Sequence, residues 1–208
     1  MSKFFGIDTP LWCFFSRLAD LVILNLCFLI FCIPVVTIGP ALTALYYTSM
    51  KMSEGDVTSV TKAFYHSFRE NLRQGTVMWV ISLFVLSLTA FDLYLITGFQ
   101  GALRSILHTV LLIFGLTVYM VILYTFPLLG RFENTTLNMF RNAFVMCIRH
   151  LPYTLIMALI SLAPVLIFLI SPSALPLLAM IYLLIGFGLT AFANSFLFSR
   201  IFAKYMPS

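Results

Sequence analysis

Charged residues are scarce in this chain of 208 residues. They make up 9% of it, whereas hydrophobic residues make up 62% and aromatic residues 16%. Soluble globular domains carry about 25% charged and roughly 45–50% apolar residues, and a fold of this size cannot bury so large an apolar excess. Disordered chains are excluded as well, because they are rich in charge and poor in aromatic residues. The composition therefore predicts a protein that folds in a lipid bilayer.

The sequence also lacks the motifs that mark enzymes and metal sites. It contains no GxSxG, HExxH, Walker A or dinucleotide-binding motif. Its four cysteines form no CxxC pair, and His66, His108 and His150 are widely separated. We therefore expect no catalytic residue, no metal and no cofactor, and we expect that the protein is not an enzyme.

Signals for secretion and for nucleic-acid binding are missing too. Residues 1–10 lack the basic start, apolar core and cleavage site of a signal peptide. The first membrane segment is therefore expected to serve as its own insertion signal. The net charge of +5 is typical of membrane proteins that keep Lys and Arg on the cytoplasmic side, and no nucleic-acid partner is expected.

Four apolar runs reach the length of about 20 residues that a membrane-spanning helix needs. Two tight turns and one long, charged linker connect them in alternation, and a second long, charged linker precedes the first run. This arrangement predicts a single membrane domain over residues 1–208, an all-α, polytopic transmembrane helical bundle. The four runs cover residues 76–96, 103–129, 151–170 and 174–198.

An earlier apolar region, residues 18–50, is interrupted by Pro34, Gly39 and Pro40. Each proline removes a backbone donor and clashes with the preceding helical turn. The pattern predicts a broken N-terminal helical hairpin. Two structures fit the break. One is a segment at membrane depth that protein or a water-filled cavity covers, and the other is a plain turn at the membrane surface.

The long linkers are predicted to form amphipathic helices over residues 56–74 and 131–149. In the first, an aromatic face lies opposite a basic face at helical spacing. Such a helix lies in the plane of the cytoplasmic interface or packs against the ends of the bundle, and the sequence leaves both arrangements open. The basic residues expected at the lipid interface are Lys62, Arg69 and Arg73.

The two linkers share a spacing that indicates an internal repeat. Phe64-x₃-Phe68 in the first matches Phe140-x₃-Phe144 in the second, and a long membrane helix follows each. Two copies on the same side of the membrane indicate a parallel repeat. Chance similarity in a chain with 22 phenylalanines is the competing interpretation.

The distribution of basic residues predicts the orientation of the chain. If residues 18–50 double back, every Lys and Arg except Arg104 lies on one side of the membrane; if they cross once, Lys3 and Arg17 join Arg104. The positive-inside rule favours the first arrangement. Both long linkers and both termini are therefore predicted to be cytoplasmic.

Polar groups near the break are candidate site residues. Asp20 follows Arg17 at a spacing that allows an ion pair on one helix face, and Asn25 and Thr37 can hydrogen-bond between helices. Broken helices line substrate sites in transporters, so a small-molecule permease that uses residues 34–40 is one hypothesis. The candidate site comprises Asp20, Asn25, Pro34, Thr37, Gly39 and Pro40.

Three segments in this region carry a resemblance to a known family. They are residues 25–29 (NLCFL), 34–41 (PVVTIGPA) and 45–47 (LYY). Across residues 18–80 the sequence resembles the YesL-like family of bacterial integral membrane proteins. That family occurs in Gram-positive bacteria, is often encoded beside genes for carbohydrate uptake and degradation, and has no assigned activity.

The resemblance implies a bacterial cell membrane and a link to sugar import, and it supplies no catalytic residues. The favoured hypothesis is an accessory or scaffold protein that binds other membrane components, such as a sugar uptake permease. A small-molecule permease that uses the broken segment is the alternative.

Overall fold

The structure is a computed structural model that describes residues 10–205, with side chains from residue 14 onward. All regular elements in these residues are helical, which confirms the predicted all-α bundle. Short 3₁₀ turns join several helices, and one π-helix, Tyr182–Gly186, lies between the last two. The α-helices are α1 (Pro10–Phe31), α2 (Ile38–Glu54), α3 (Val60–Leu95), α4 (Gly101–Arg131), α5 (Thr136–Arg149), α6 (Leu151–Ile170), α7 (Leu175–Ile181) and α8 (Phe187–Phe202).

Five helical spans in the described residues are long and apolar enough to cross a membrane. Four of them contain the predicted runs, and the fifth lies in α1. Their length and composition are compatible with a multi-pass membrane protein. The spans are Phe14–Phe31, Val60–Gly98, Gly101–Arg131, Leu151–Ile170 and Pro172–Phe202.

Helices α1 and α2 form the predicted broken hairpin. The Arg17 guanidinium donates to the carbonyl oxygen of Met52 at 2.7 Å, which joins the first half of α1 to the end of α2. A 3₁₀ turn, Val35–Thr37, reverses the chain. Pro34 and the two residues after it are exposed. The break is therefore an exposed turn, and the chain doubles back.

Helix α2 is the central helix of the bundle. It packs against α1, α3, α4 and α8, and most of its residues between Gly39 and Met52 are buried. It meets α3 through backbone atoms, because a Cβ atom on Gly39 would overlap the carbonyl oxygen of Gly75, and one on Gly75 would lie 2.9 Å from Pro40 Cα. Small residues permit this close approach.

The predicted boundary between two helices at residue 75 is wrong. One helix, Val60–Leu95, replaces the predicted helices 56–74 and 76–96. A glycine inside a helix costs only about 1 kcal/mol, and Gly75 makes the contact with α2. At 1.5 Å per residue α3 is about 54 Å long, whereas the hydrocarbon core of a bilayer is about 30 Å thick. The helix is therefore longer than that core is thick, and its charged first part continues into its apolar part without a turn at Gly75.

The apolar face of this first part is covered by protein. Val60, Phe64 and Phe68 are buried, and the Phe31 ring of α1 lies 4.5 Å from the Phe68 ring. Leu72, one helical turn after Phe68 on the same face, is 43% exposed. Of the two arrangements left open by the sequence, packing against the bundle is the one that the structure contains.

The predicted internal repeat is not reproduced. The predicted helix 131–149 is shorter in the structure, because α4 ends at Arg131 and α5 begins only at Thr136. Helix α5 is also separate from α6. Pro152 at the start of α6 cannot continue a preceding helix, whereas Gly75 can. The buried side of α5 carries Met139 and Ala143, while Phe144 is exposed.

The ends of α2, α4 and α8 meet at one place. Arg131 forms an ion pair with Glu54 at 2.9 Å, and the Ser199 hydroxyl donates to the same carboxylate at 3.2 Å. We call this place, defined by Glu54, Arg131 and Ser199, the charged end. The linkers that lead to α3 and to α5 begin here, and α8 ends close by. Which side of the membrane the charged end faces stays a prediction, and Lys3 lies outside the described residues.

The contact between α2 and α3 predicts the effect of a substitution. Gly75→Leu should lower the free energy of unfolding by about 1–3 kcal/mol, because a side chain there forces the two backbones apart. Gly98→Leu is the control, since a Cβ at Gly98 meets no atom within 4 Å. Thermal unfolding of the two purified variants in detergent measures the difference. Equal losses would show that the helices do not depend on this contact.

Candidate functional site

Asn25, in α1, is fully buried and bonds to the π-helix. Its amide nitrogen donates to the carbonyl oxygens of Tyr182 at 3.1 Å and Leu183 at 2.9 Å. Its amide oxygen accepts from the backbone N–H of Gly188 at 3.0 Å. A π-helix interrupts the regular ladder of backbone hydrogen bonds, and in an apolar interior each unpaired group is costly. One side chain therefore satisfies three backbone groups at this interruption.

Two glycines shape the same region. A Cβ on Gly188 would lie 2.9 Å from the carbonyl oxygen of Leu21, so Gly188 lets α1 approach α8. A Cβ on Gly186 would lie 2.5 Å from the Tyr182 ring, so that ring rests on the glycine. The Tyr182 hydroxyl lies 3.3 Å from the Thr190 hydroxyl. These contacts hold the Tyr182 ring beside a cavity.

This cavity, which we call the central cavity, has a volume of about 430 Å³ and lies between α2, α4, α6, the π-helix and α8. Its wall is largely apolar, and the polar groups in it belong to hydroxyl-bearing side chains. Pro164 and Val165 of α6 line part of it. The hydroxyl-bearing residues are Tyr46, Tyr119, Ser161, Tyr182 and Thr190.

A group of neutral polar side chains stands at one wall of the central cavity. The Asn194 amide nitrogen donates to the Ser161 hydroxyl at 2.9 Å. The hydroxyl of Tyr46 lies near both residues, and that of Tyr119 lies near Ser161. The buried Asn194 Oδ1 atom has no hydrogen-bond partner, and an unsatisfied buried acceptor costs about 1–3 kcal/mol. Asn194 is not among the residues that line the central cavity, so this atom is enclosed by protein behind the wall.

The residues predicted around the break do not form one site. Thr37 donates within the turn, to the carbonyl oxygens of Phe31 and Pro34, each at 2.7 Å. Gly39 and Pro40 are buried against Gly75. The cavities described here are lined by other residues. Transport through residues 34–40 stays an untested prediction.

The other two candidates near the break lie elsewhere. Asn25 was predicted to hydrogen-bond between helices, and it bonds to the π-helix. Asp20 is half-buried, and among the described residues Arg17 makes no ion pair with it and instead bonds to Met52.

The predicted basic residues Lys62, Arg69 and Arg73 are exposed along the first part of α3. A polar cavity of about 540 Å³ lies on this side of the bundle, between α3 and the end of α4. Gln74 closes part of it by donating to the carbonyl oxygen of Asn134 at 2.8 Å. Contact of the three basic side chains with lipid headgroups stays a prediction.

His150 links α5 to the end of the chain near the charged end. Its Nε2 atom lies 3.1 Å from the Tyr205 hydroxyl. Partial burial, followed by the positive charges of Lys204 and Arg149, lowers the pKa of His150 from its usual value of 6.5. The neutral imidazole is therefore favoured, and its Nε2 atom can accept a hydrogen bond from the Tyr205 hydroxyl.

Sequence reasoning missed most of the central cavity. Its residues are spread over α2 and three of the membrane spans, and they show no spacing that would connect them. Hydroxyl-bearing side chains within apolar runs, such as Tyr119 and Ser161, were the available signal.

Comparison with known proteins adds one similarity. Residues 21–93 match the model of a protein family of unknown function, DUF624. No curated protein and no solved structure matches the chain. The similar region runs from α1 through most of α3, so it contains Asn25, the turn and the contact at Gly75. It reaches the central cavity only through α2.

The bonds of Asn25 predict that it stabilises the fold. Asn25→Ala should lower the free energy of unfolding by roughly 1–3 kcal/mol, because buried carbonyl groups lose their donor. Asn71→Ala is the matched control, since the Asn71 amide bonds only to Ser67 in its own helix. Thermal unfolding in detergent distinguishes the variants. A melting temperature of Asn25→Ala equal to that of the control would refute this role.

Proposed function

We propose that this protein is a non-enzymatic accessory or scaffold component of a bacterial cell membrane. In this proposal it is YesL-like, and it binds a membrane subunit of a carbohydrate uptake system. The supporting observation is a pair of helical segments that the rest of the chain leaves largely exposed. The charged end faces the cytoplasm, in agreement with the positive-inside rule.

This pair of segments, residues 83–122, is called the distal hairpin. From residue 101 to residue 122 of α4 no side chain is buried, and in residues 83–95 of α3 only Thr89 is buried. The two helices touch where Gly115 faces Thr89. The distal hairpin therefore offers a long apolar surface to lipid or to another membrane protein.

One face of the distal hairpin is suited to a protein neighbour. Ser105 and Thr109 are exposed one helical turn apart, and small residues at this spacing let a second helix approach closely. His108 is exposed beside them. An ionisable group within a membrane segment is expensive in lipid and calls for a polar partner. A helix from another protein can supply both contacts.

The link to sugar import is supported by the resemblance of residues 18–80 to the YesL-like family, whose genes often accompany carbohydrate uptake genes. The region similar to DUF624 overlaps these residues. The resembling residues 18–80 lie outside the distal hairpin, and the region similar to DUF624 overlaps the hairpin only in residues 83–93. The hairpin is thus proposed as the contact surface, and the resembling region as the scaffold that carries it.

A crosslinking experiment in native cells tests this proposal. A photoreactive amino acid at position 109 should capture the membrane subunit of a carbohydrate uptake system, because a partner helix packs there. The control position is Leu159 on α6, which is 61% exposed on a different helix. Mass spectrometry identifies the captured proteins. Capture of the same proteins from both positions, or of lipid alone from position 109, would contradict the proposal.

A further inference from the structure

An apolar groove, which we call the interhelical groove, runs between α3 and α4 beside α5. It has a volume of about 350 Å³, and no charged residue lines it. Val118 and Ile122 of α4 form part of its wall. Ile81 and Phe114 also line it and are exposed. Because both long helices belong to segments suited to crossing a membrane, the groove is open to the acyl chains around them.

The polar groups of the interhelical groove are already satisfied. The Ser82 hydroxyl donates to the carbonyl oxygen of Met78, and the Thr117 hydroxyl donates to that of Ile113, each at 2.8 Å. Neither hydroxyl needs an acceptor from an occupant. A polar molecule would lose its hydration in the groove with little compensation, whereas a hydrocarbon chain matches the wall.

Helix α5 borders the groove and carries an exposed apolar stripe. Phe140 and Phe144 line the groove. Leu137 is 79% exposed and Ile148 is 54% exposed, and their spacing from Phe144 places all three residues on one helix face. Helix α5 connects α4 to α6 at the charged end. An amphipathic helix with an exposed apolar face is typical of the membrane interface.

Arg141 stands beside this apolar stripe. It is exposed, and within the part of the chain that the structure describes it forms no ion pair. Helix α5 itself contains no acidic residue. Arg141 precedes Phe144 by three residues, a spacing that brings the two Cβ atoms to about 5–6 Å on the helix surface. An arginine can hold a phosphate group through two parallel hydrogen bonds, so the charge beside the groove suits a phosphate headgroup.

The second arginine of α5 has different surroundings. Arg149 lines a depression together with Glu133 and Tyr205. It follows Arg141 by eight residues and therefore points about 80° away around the helix. The carboxylate offsets its charge. Arg149 thus carries the same charge on the same helix without bordering the groove.

We propose that the interhelical groove and Arg141 bind one anionic phospholipid. One acyl chain lies in the groove against Val118, the phosphate lies against the Arg141 guanidinium, and the second chain stays in the bilayer. A zwitterionic phospholipid is a weaker occupant, because its own cation competes with Arg141 for the phosphate. A soluble anion would leave the groove empty.

The lipid site is independent of the proposed protein partner. Thr109, the proposed contact of the partner helix, precedes Val118 by nine residues. Nine residues make two and a half helical turns, so the two side chains lie on opposite sides of α4.

Photolabelling of the full-length protein in phosphatidylcholine nanodiscs tests the site. The probe is a phosphatidylglycerol with a photoreactive group in one acyl chain, and a phosphatidylcholine with the same chain is the control for general lipid contact. Mass spectrometry should find the phosphatidylglycerol probe preferentially on residues 114–122, and added unlabelled phosphatidylglycerol should suppress this labelling. Equal labelling of these residues by both probes would overturn the proposal.

Two arginine variants separate a bound headgroup from general attraction between charges. Arg141→Gln should lower labelling of the groove by the phosphatidylglycerol probe about fivefold, the effect of one basic residue at an anionic membrane surface. Arg149→Gln removes the same charge away from the groove and should leave the labelling unchanged. Both side chains are exposed, so both variants should fold. Equal labelling of the two variants would refute a site at Arg141.

Two tryptophan variants locate the acyl chain. Val118→Trp should abolish the difference between the two probes, because the larger side chain fills the groove. Leu116→Trp is the control, since Leu116 is exposed on the other side of α4 and does not line the groove. Persistence of the difference in Val118→Trp would exclude this groove even if phosphatidylglycerol binds elsewhere.

Discussion

Helices α2 and α3 touch through backbone atoms at Gly39, Pro40 and Gly75, and the arrangement of the bundle depends on this contact. Lipid provides no hydrophobic force that drives helices together, so close packing of small residues has to hold them. The contact places α2 in the centre, where α1, α3, α4 and α8 cover it. A 17-residue helix that is too short to count among the membrane spans thereby becomes the element around which the spans assemble.

The same contact explains why the amphipathic segment of α3 has a protein environment. Because α2 runs along the first part of α3, Phe64 and Phe68 are buried in the bundle while Arg69 and Arg73 remain exposed. A helix with one apolar and one charged face is equally compatible with a lipid surface and with a protein surface. The sequence could therefore predict the face of the helix but not what covers it.

The membrane runs were predictable because long apolar stretches have few alternative structures. Residues 151–170 match α6 at both ends. The predicted break between two helices at Gly75 was wrong, because glycine occurs both at helix ends and at close contacts between helices. Only the structure shows that Pro40 packs against Gly75, which makes this glycine a helix contact. The repeat was wrong for a related reason: Pro152 separates α5 from α6, whereas nothing separates the corresponding parts of α3. The central cavity was not predictable, because five elements contribute to it.

Asn25 and Asn194 illustrate two uses of a buried amide in an apolar bundle. The Asn25 side chain bonds through both its donor and its acceptor to backbone groups of the π-helix and α8. Asn194 bonds to Ser161 through its nitrogen, and its oxygen remains without a donor. Asn25 is connected to the central cavity through Tyr182, because Asn25 binds the carbonyl oxygen of Tyr182 and Tyr182 lines the cavity. Asn25, in the region similar to DUF624, therefore helps to position Tyr182, and with it one wall of a cavity that is formed largely by residues outside that region.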